Sequence, residues 1–205
     1  MTKAVLFDMD GVLIDATEWH YEALNEALEI FGFSIARDEH LARFNGMTTK
    51  KKLEILSNEY GLPFGLHGVI SDIKQDRTLR IAAKKCFPTA AHLILLSTLK
   101  NSGVKIGVVT NSIRMTTEFM LKYAGISDFL DVLVTNEDVA QPKPAPDGYL
   151  LGMKLLGSLP AETVVVEDGM HGIAAANAAG ARVIEVADPS EVSLEIFDQI
   201  MRVRS

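Results

Sequence analysis

Two aspartates separated by one residue, directly after a short apolar run, are the residues of this chain whose spacing most directly suggests chemistry. Asp8 and Asp10 follow Val5-Leu6-Phe7 and precede Gly11. If the backbone is still extended there, their Cα atoms lie ~6–7 Å apart. Carboxylates that close repel each other unless a cation or a shared proton lies between them. We therefore predict a divalent, oxygen-liganded metal, Mg²⁺ above all, although an acidic turn that closes a strand fits the same letters.

Two further segments offer groups that suit a phosphate. Thr110-Asn111-Ser112 provides hydroxyls, an amide and the N–H groups of a helix start, and an ordinary helix N-cap is the alternative explanation. Lys143 stands between Pro142 and Pro144, which stiffen the backbone around it. We interpret Lys143 as an ammonium aimed at a phosphoryl oxygen or an acyl phosphate, with a solvated loop lysine as the alternative.

A second pair of carboxylates ends another apolar segment. Glu167 and Asp168 follow the valines at 164–166. Additional negative charge that converges on Asp8 and Asp10 is understandable only around a cation. These residues therefore belong to the same predicted metal site.

The elements that must position these residues alternate along the chain. Short, β-branched apolar stretches predict strands at 3–8, 104–110, 131–134, 163–167 and 182–186. Helical periodicity predicts helices at 16–31, 89–101, 114–124, 146–156, 171–179 and about 190–202. This alternation indicates an α/β fold with a Rossmann-like, doubly wound parallel sheet. Ligands of such sheets bind beyond the carboxyl ends of the strands, where the polar groups above are expected.

One long helical block interrupts the alternation after the first strand. Residues 37–81 have a helical and more charged pattern without a valine-rich strand. We predict that residues 15–85 form an inserted α-helical cap. Residues 1–14 and 86–205 are then the catalytic core.

Several local features are given structural interpretations. Asp15 is expected to cap the helix that opens the block, with Glu18 as its capping-box partner. The run Lys50-Lys51-Lys52 is expected to be a solvated helix face. Cys86 is expected to be a small apolar filler, and His171 a loop or helix-start residue outside the metal site.

Composition limits the classes of function. The chain has 205 residues, 48% of them hydrophobic, which suits one domain or a core with a smaller insertion. A net charge of −7 argues against a nucleic-acid partner. The single cysteine excludes an internal disulfide and fits the cytoplasm. We expect neither a signal peptide nor a membrane span, because no apolar run approaches ~20 residues.

With these motifs in order, the chain resembles the haloacid dehalogenase superfamily, specifically its β-phosphoglucomutase-like branch of phosphatases and phosphomutases. The resemblance covers nearly the whole chain. It rests on Asp8-Met9-Asp10-Gly11-Val12-Leu13, Thr110-Asn111-Ser112, Lys143-Pro144-Ala145-Pro146-Asp147 and Glu167-Asp168-Gly169. Each motif alone is weak, but together they are specific.

The resemblance implies catalytic roles for residues of the core. Asp8 is the nucleophile that forms an aspartyl phosphate, and Asp10 is the general acid and then the general base. Thr110 and Lys143 hold phosphoryl oxygens. Because Asp10 must carry a proton in the first step, we expect its pKa to be raised in the bound, closed site. The dehalogenases and phosphonatases of the superfamily lack this second acid, so Asp10 argues against those reactions.

The resemblance also implies the ligands of Mg²⁺. They are Asp8, the backbone carbonyl of Asp10, and Asp168, with Glu167 acting through the water shell. A small phosphorylated metabolite is the implied partner, and a monomer is the usual state of the family.

Substrate contacts follow from the resemblance with less detail. They are implied for His20, Gly46, Met47, Arg80, Asn111 and Ser112. In the family, a histidine at position 20 can couple cap closure to Asp10. Asn45 and Thr49 replace a lysine and an arginine of the mutase pattern, so two cations for a second phosphate are missing.

These departures favour a Mg²⁺-dependent phosphatase acting on a small phosphorylated metabolite. The alternatives are a phosphomutase, which would isomerise a substrate primed by a sugar bisphosphate, and a non-catalytic protein that binds phosphorylated metabolites. Turnover that depends on Asp10 would exclude the last of these.

Overall fold

A parallel five-stranded sheet forms the centre of the protein, in a computed structural model that describes residues 2–202. The strands are β1 (Ala4–Phe7), β2 (Lys105–Val109), β3 (Val132–Val134), β4 (Thr163–Glu167) and β5 (Arg182–Glu185). Their order across the sheet is β3-β2-β1-β4-β5. The central strand β1 pairs in parallel with β2 and β4, so Phe7 lies beside Val108 and Val166. The carboxyl ends of the strands therefore meet along one edge.

Helices connect the strands. The α-helices of the described chain are α1 (Thr17–Glu29), α2 (Arg37–Glu39), α3 (Thr49–Tyr60), α4 (His67–Lys85), α5 (Ala90–Asn101), α6 (Arg114–Tyr123), α7 (Asp147–Leu156), α8 (Met170–Ala178) and α9 (Phe197–Met201). A π-helical turn spans His40–Phe44, and 3-10 turns lie at Phe64–Leu66, Ser127–Phe129, Asn136–Asp138, Pro160–Glu162, Pro189–Glu191 and Leu194–Ile196. No helix within residues 2–202 combines the length and apolarity that a membrane span requires.

The sheet is covered on both faces. Because side chains alternate along a strand, Val5 and Phe7 of β1 join the apolar cluster formed with α5, α6 and α9. Ala4 and Leu6 point the other way, into the cluster formed with α7 and α8. The predicted α/β fold with a doubly wound parallel sheet is confirmed.

The helical segment between β1 and β2 has an apolar cluster of its own. Leu24 of α1, Phe44 of the π-helical turn and Leu53 of α3 are at its centre. The same segment also contacts the sheet, since Trp19 and Ala82 belong to the cluster on one of its faces. The division into core and cap stays a prediction.

Two expected details of the helices are wrong. Asp15 does not cap α1: the N-cap is Ala16, no side chain bonds there, and Glu18 instead binds Arg37 at the surface. Asp15 lies one residue too early for its carboxylate to take the capping position. The predicted helix at 190–202 is two 3-10 turns followed by α9, because the side chain of Ser193 accepts a hydrogen bond from the Glu195 backbone and starts a new turn.

Cys86 has the predicted packing role. It is buried, and its thiol lies 3.4 Å from the carbonyl oxygen of Met120. Burial raises the pKa of the thiol to about 11, so it stays protonated and unreactive at neutral pH.

Candidate active site

Three carboxylates meet at the carboxyl edge of the sheet. Asp8 follows β1 and Glu167 ends β4, and the two strands are joined there by a 2.9 Å hydrogen bond from the Asp8 backbone to Val166. One oxygen from each of Asp8, Glu167 and Asp168 lies within 4.8 Å of the others. Strand pairing thus brings together residues that are about 160 positions apart in sequence.

Lys143 lies between two of these carboxylates. Its ammonium donates to Asp8 Oδ1 at 2.5 Å and to Glu167 Oε1 at 2.6 Å, and all three side chains are buried. Burial lowers the pKa of Lys143, but the charges of Asp8 and Glu167 outweigh burial and hold the pKa above its usual value. Lys143 is therefore a permanent cation beside Asp8, and the alternative of a solvated loop lysine is wrong.

Glu167 is fixed by four donors. Lys143 and the Tyr149 hydroxyl, at 2.7 Å, donate to Oε1, while the backbone N–H groups of Asp168 and Gly169 donate to Oε2. Burial raises the pKa of Glu167, but Lys143 and these hydrogen bonds outweigh it, so the pKa is lowered. A Cβ on Gly172 would lie 1.5 Å from Oε1, so only glycine allows α8 to approach this closely. Tyr149 was not predicted as a site residue, because it is a phenol on a mostly apolar helix.

The other two carboxylates have fewer partners. No other residue within 2–202 donates to the Asp168 carboxylate. Burial and the charge of Glu167 raise its pKa to about 6, against the effect of its own backbone N–H. Burial likewise raises the pKa of Asp8, against the opposing effect of Lys143. Gly11 makes room for Asp168, because a Cβ there would lie 2.1 Å from Oδ2. Three carboxylates against one ammonium leave a compact set of hard oxygen donors with excess negative charge, which fits a divalent cation.

Asp10 lies near this cluster but is not one of its three carboxylates. Ser112 donates to its Oδ2 at 2.7 Å, and His20 Nε2 lies 3.0 Å from its Oδ1. The Lys74 ammonium lies 3.2 Å from His20 Nδ1, which must therefore accept, so we assign the ring proton to Nε2. His20 then donates to Asp10. The expected link between His20 and Asp10 is present. The bond from Ser112 to Asp10 and the position of Lys74 were not predicted from the sequence.

The pKa of Asp10 is lower than its usual value in this arrangement. Burial alone would raise it, but His20, Ser112 and the charge of Lys74 outweigh burial. The pKa of His20 is also lowered, first by burial and then by Lys74, which agrees with a neutral imidazole. The raised pKa expected for Asp10 is therefore not a property of the protein groups alone.

The residues of the segment Thr110-Asn111-Ser112 have different contacts. Thr110 is buried at the cavity and accepts a hydrogen bond from the Ser112 backbone at 3.0 Å, which leaves its hydroxyl hydrogen free to donate. Asn111 is used by the protein: its amide exchanges two hydrogen bonds with the backbone of Lys143 and donates to the Gly46 carbonyl at 2.9 Å. Asn111 therefore positions Lys143 and joins it to the helical segment, and since it also lines the cavity, its contact with substrate stays a prediction.

The four carboxylates, Lys143, His20, Lys74 and residues 110–112 border one cavity of about 790 Å³ between the strand ends and the helical segment. Gly46, Met47 and His171 also line it, and His171 stands in the first turn of α8, outside the carboxylate cluster. Arg80 does not reach the cavity, contrary to its predicted role. It is exposed and pairs with Asp76 one turn earlier on α4.

Lys52 corrects the interpretation of the lysine run as a solvated face. It is 6% exposed and lines the cavity, whereas Lys51 is exposed and pairs with Glu54. Burial, followed by the charge of Lys74, lowers the pKa of Lys52 to about 7. The signal was present in the sequence, because Lys52 adjoins Leu53 on the buried side of the helix.

Replacing Lys52 with methionine is expected to stabilise the protein. Below pH 7 the ammonium is charged in both states and is desolvated only in the folded one, so its removal gains on the order of 2–4 kcal/mol. Between pH 7 and 10.5 the folded state loses this proton first, and the gain shrinks. Thermal unfolding at pH 6 and pH 9 measures both effects. Lys51→Met is the matched control, and an equal shift in both variants would contradict the argument.

The fold and site together define a hydrolase of the α/β class that handles phosphoryl groups. The chain belongs to the haloacid dehalogenase-like hydrolase family, whose sequence pattern matches residues 5–186, and the resemblance is thereby confirmed. It is 33% identical over 201 residues to protein CbbY of Rhodobacter capsulatus, covering 92% of this chain and 86% of that one. It is 28% identical over 178 residues to the phosphorylated carbohydrates phosphatase of Thermotoga maritima, covering 87% and 82% of the two chains.

A solved structure shows the same fold. The crystal structure of CbbY from Rhodobacter sphaeroides in complex with xylulose-(1,5)bisphosphate superposes with a TM-score of 0.81 at 26% identity, covering 90% of this chain and 86% of that one. With phosphatases among its relatives, the chain is an enzyme of the phosphatase class.

Proposed function

We propose that this protein is a Mg²⁺-dependent phosphatase that hydrolyses a small phosphorylated metabolite through an aspartyl phosphate on Asp8. The observation that carries the proposal is the pairing of Asp8 with the Lys143 ammonium at the cavity wall, with Asp10 held separately by Ser112 and His20. A nucleophile and a proton donor are thus kept apart by their partners, as two-step phosphoryl transfer requires.

Mg²⁺ held by Asp8, Asp168 and the Asp10 backbone carbonyl, with Glu167 in support, would offset the charge repulsion between carboxylate and phosphate. In the first step Asp8 attacks phosphorus, and the bond from phosphorus to the leaving oxygen breaks. Asp10 gives its proton to that oxygen. In the second step Asp10 takes a proton from the attacking water, and inorganic phosphate leaves Asp8. Lys143 and Thr110 hold the phosphoryl oxygens in both steps.

Asp10 would become protonated when the substrate binds. The protein groups alone lower its pKa, but a dianionic phosphate beside it raises the pKa by charge repulsion. Residues 15–85 would act as the cap that covers the site. A phosphatase is preferred to a phosphomutase because Asn45 and Thr49, both at the cavity, stand where the mutase pattern has a lysine and an arginine.

Metal removal tests the cofactor. With EDTA, phosphate release from a panel of sugar phosphates and small monophosphates is expected to fall at least about 100-fold, and excess Mg²⁺ is expected to restore it. Asp168→Asn should raise the Mg²⁺ concentration needed for half-maximal release, because it removes a ligand. Release that is unaffected by EDTA would overturn the metal part of the proposal. Isomerisation primed by a sugar bisphosphate would instead identify a mutase.

A further inference from the structure

The wall of the cavity formed by the helical segment between β1 and β2 holds a buried cation that the proposed hydrolysis does not use. Lys52 projects from α3 into the cavity and is 6% exposed. Within residues 2–202 its ammonium has neither a carboxylate partner nor a hydrogen bond. Buried lysines are almost always paired in folded proteins, so an unpaired ammonium aimed into a cavity indicates an anion supplied from outside.

The charges around Lys52 strengthen this point. Lys74 lies near it as a second cation, and Asp10 is the acidic group that acts on it. The neighbouring His20 and His40 have lowered pKa values, mainly because of burial, and are neutral. The Asp10 carboxylate is already bound by Ser112 and His20, so it does not serve as the counter-ion of Lys52. Lys52 and Lys74 thus place two cations on this wall of the cavity.

Lys74 and Lys52 differ in their availability. The Lys74 ammonium is engaged with His20 Nδ1 at 3.2 Å, whereas Lys52 keeps all three of its donors for a ligand. The cavity of about 790 Å³ has room for a metabolite that reaches from the carboxylate cluster to Lys52. Lys52 is thus a buried cation of this wall that remains available to an anion.

We propose that the substrate carries a second anionic group, a carboxylate or another phosphate, on its leaving portion, and that Lys52 binds this group. The inference rests on the proposed function, in which the phosphoryl group lies at Asp8 and the leaving portion faces the helical segment. It specifies the substrate class as phosphorylated acids or bisphosphates, in preference to neutral sugar phosphates.

Matched substrates test the proposal. 3-Phosphoglycerate and glycerol 3-phosphate differ only by a carboxylate in place of a hydroxymethyl group, and fructose 1,6-bisphosphate and fructose 6-phosphate by a second phosphate. We expect wild-type kcat/KM to favour the anionic member of at least one pair by about 10- to 100-fold. Lys52→Met should reduce that ratio to about one, Lys52→Arg should retain much of it, and Lys51→Met should leave it unchanged. The pair that responds identifies the anion.

Binding separates this inference from the hydrolysis proposal. Calorimetry with Asp8→Asn measures the dissociation constants of the same compounds without turnover, with and without Lys52→Met. A Lys52-dependent preference without any hydrolysis would support the anion site and overturn the proposed reaction. Hydrolysis with ratios that Lys52→Met does not change would overturn the anion site and leave the reaction standing.

Discussion

Phosphate release is expected to fall at least about 10³-fold in Asp8→Asn, because an amide oxygen is too weak a nucleophile to attack phosphorus. The variant should remain folded. Asparagine still accepts a hydrogen bond from Lys143, and the change relieves repulsion among Asp8, Glu167 and Asp168, which lie within one cluster. Initial rates of phosphate release, measured with whichever compound of the panel the wild-type protein hydrolyses, and thermal unfolding measure the two effects.

A matched control and a covalent readout make the result specific. Asp38→Asn alters an exposed aspartate away from the cavity and should retain full activity. Acid quenching during turnover should leave one phosphoryl group on the wild-type chain and none on Asp8→Asn, as mass spectrometry would show. Wild-type rates in a folded Asp8→Asn protein would mean that water attacks the substrate directly.

The sequence was most informative where local pattern and chemistry coincide. Apolar, β-branched stretches predicted all five strands, since buried parallel strands have little else in their composition. The prediction that Asp8 and Glu167 lie close together rested on the expectation of parallel strands, because the carboxyl ends of such strands lie at the same edge of the sheet. These predictions needed no knowledge of side-chain packing.

The sequence was least informative where tertiary packing decides. Lys52 and Lys74 reach the cavity because of the way α3 and α4 are rotated about their axes. The periodicity of a helical sequence predicts that rotation only approximately. The predicted role of Arg80 was wrong for the same reason, since Arg80 lies on the exposed side of α4 beside Asp76. The Asn111 amide is suited to binding a ligand, but it forms hydrogen bonds with the backbone of Lys143. This contact depends on the folded loop and could not be predicted from the sequence.

Replacing Lys143 with methionine is expected to impair both stability and catalysis. The variant leaves Asp8 and Glu167 buried without their cation, which costs about 3–5 kcal/mol. It also removes the ammonium that holds the phosphoryl oxygens, so kcat/KM should fall at least about 100-fold. Denaturant unfolding in EDTA and rates measured below the unfolding transition separate the two losses. Lys154→Met, an exposed change on α7, is the control and should alter neither.

The pH dependence of this loss has a definite sign. Lys143 lowers the folded-state pKa of Glu167 below its ordinary value of 4.5, so the stability it contributes is complete above pH 4.5 and disappears as the pH falls through the lowered pKa. The stability gap between wild type and Lys143→Met should therefore be full at pH 7 and narrow under acid. The double variant Lys143→Met with Glu167→Gln should recover stability at pH 7 but not activity, because one uncompensated charge is gone while the phosphoryl ligand is still missing. A single variant as stable as wild type at pH 7 would show that Lys143 does not balance these carboxylates.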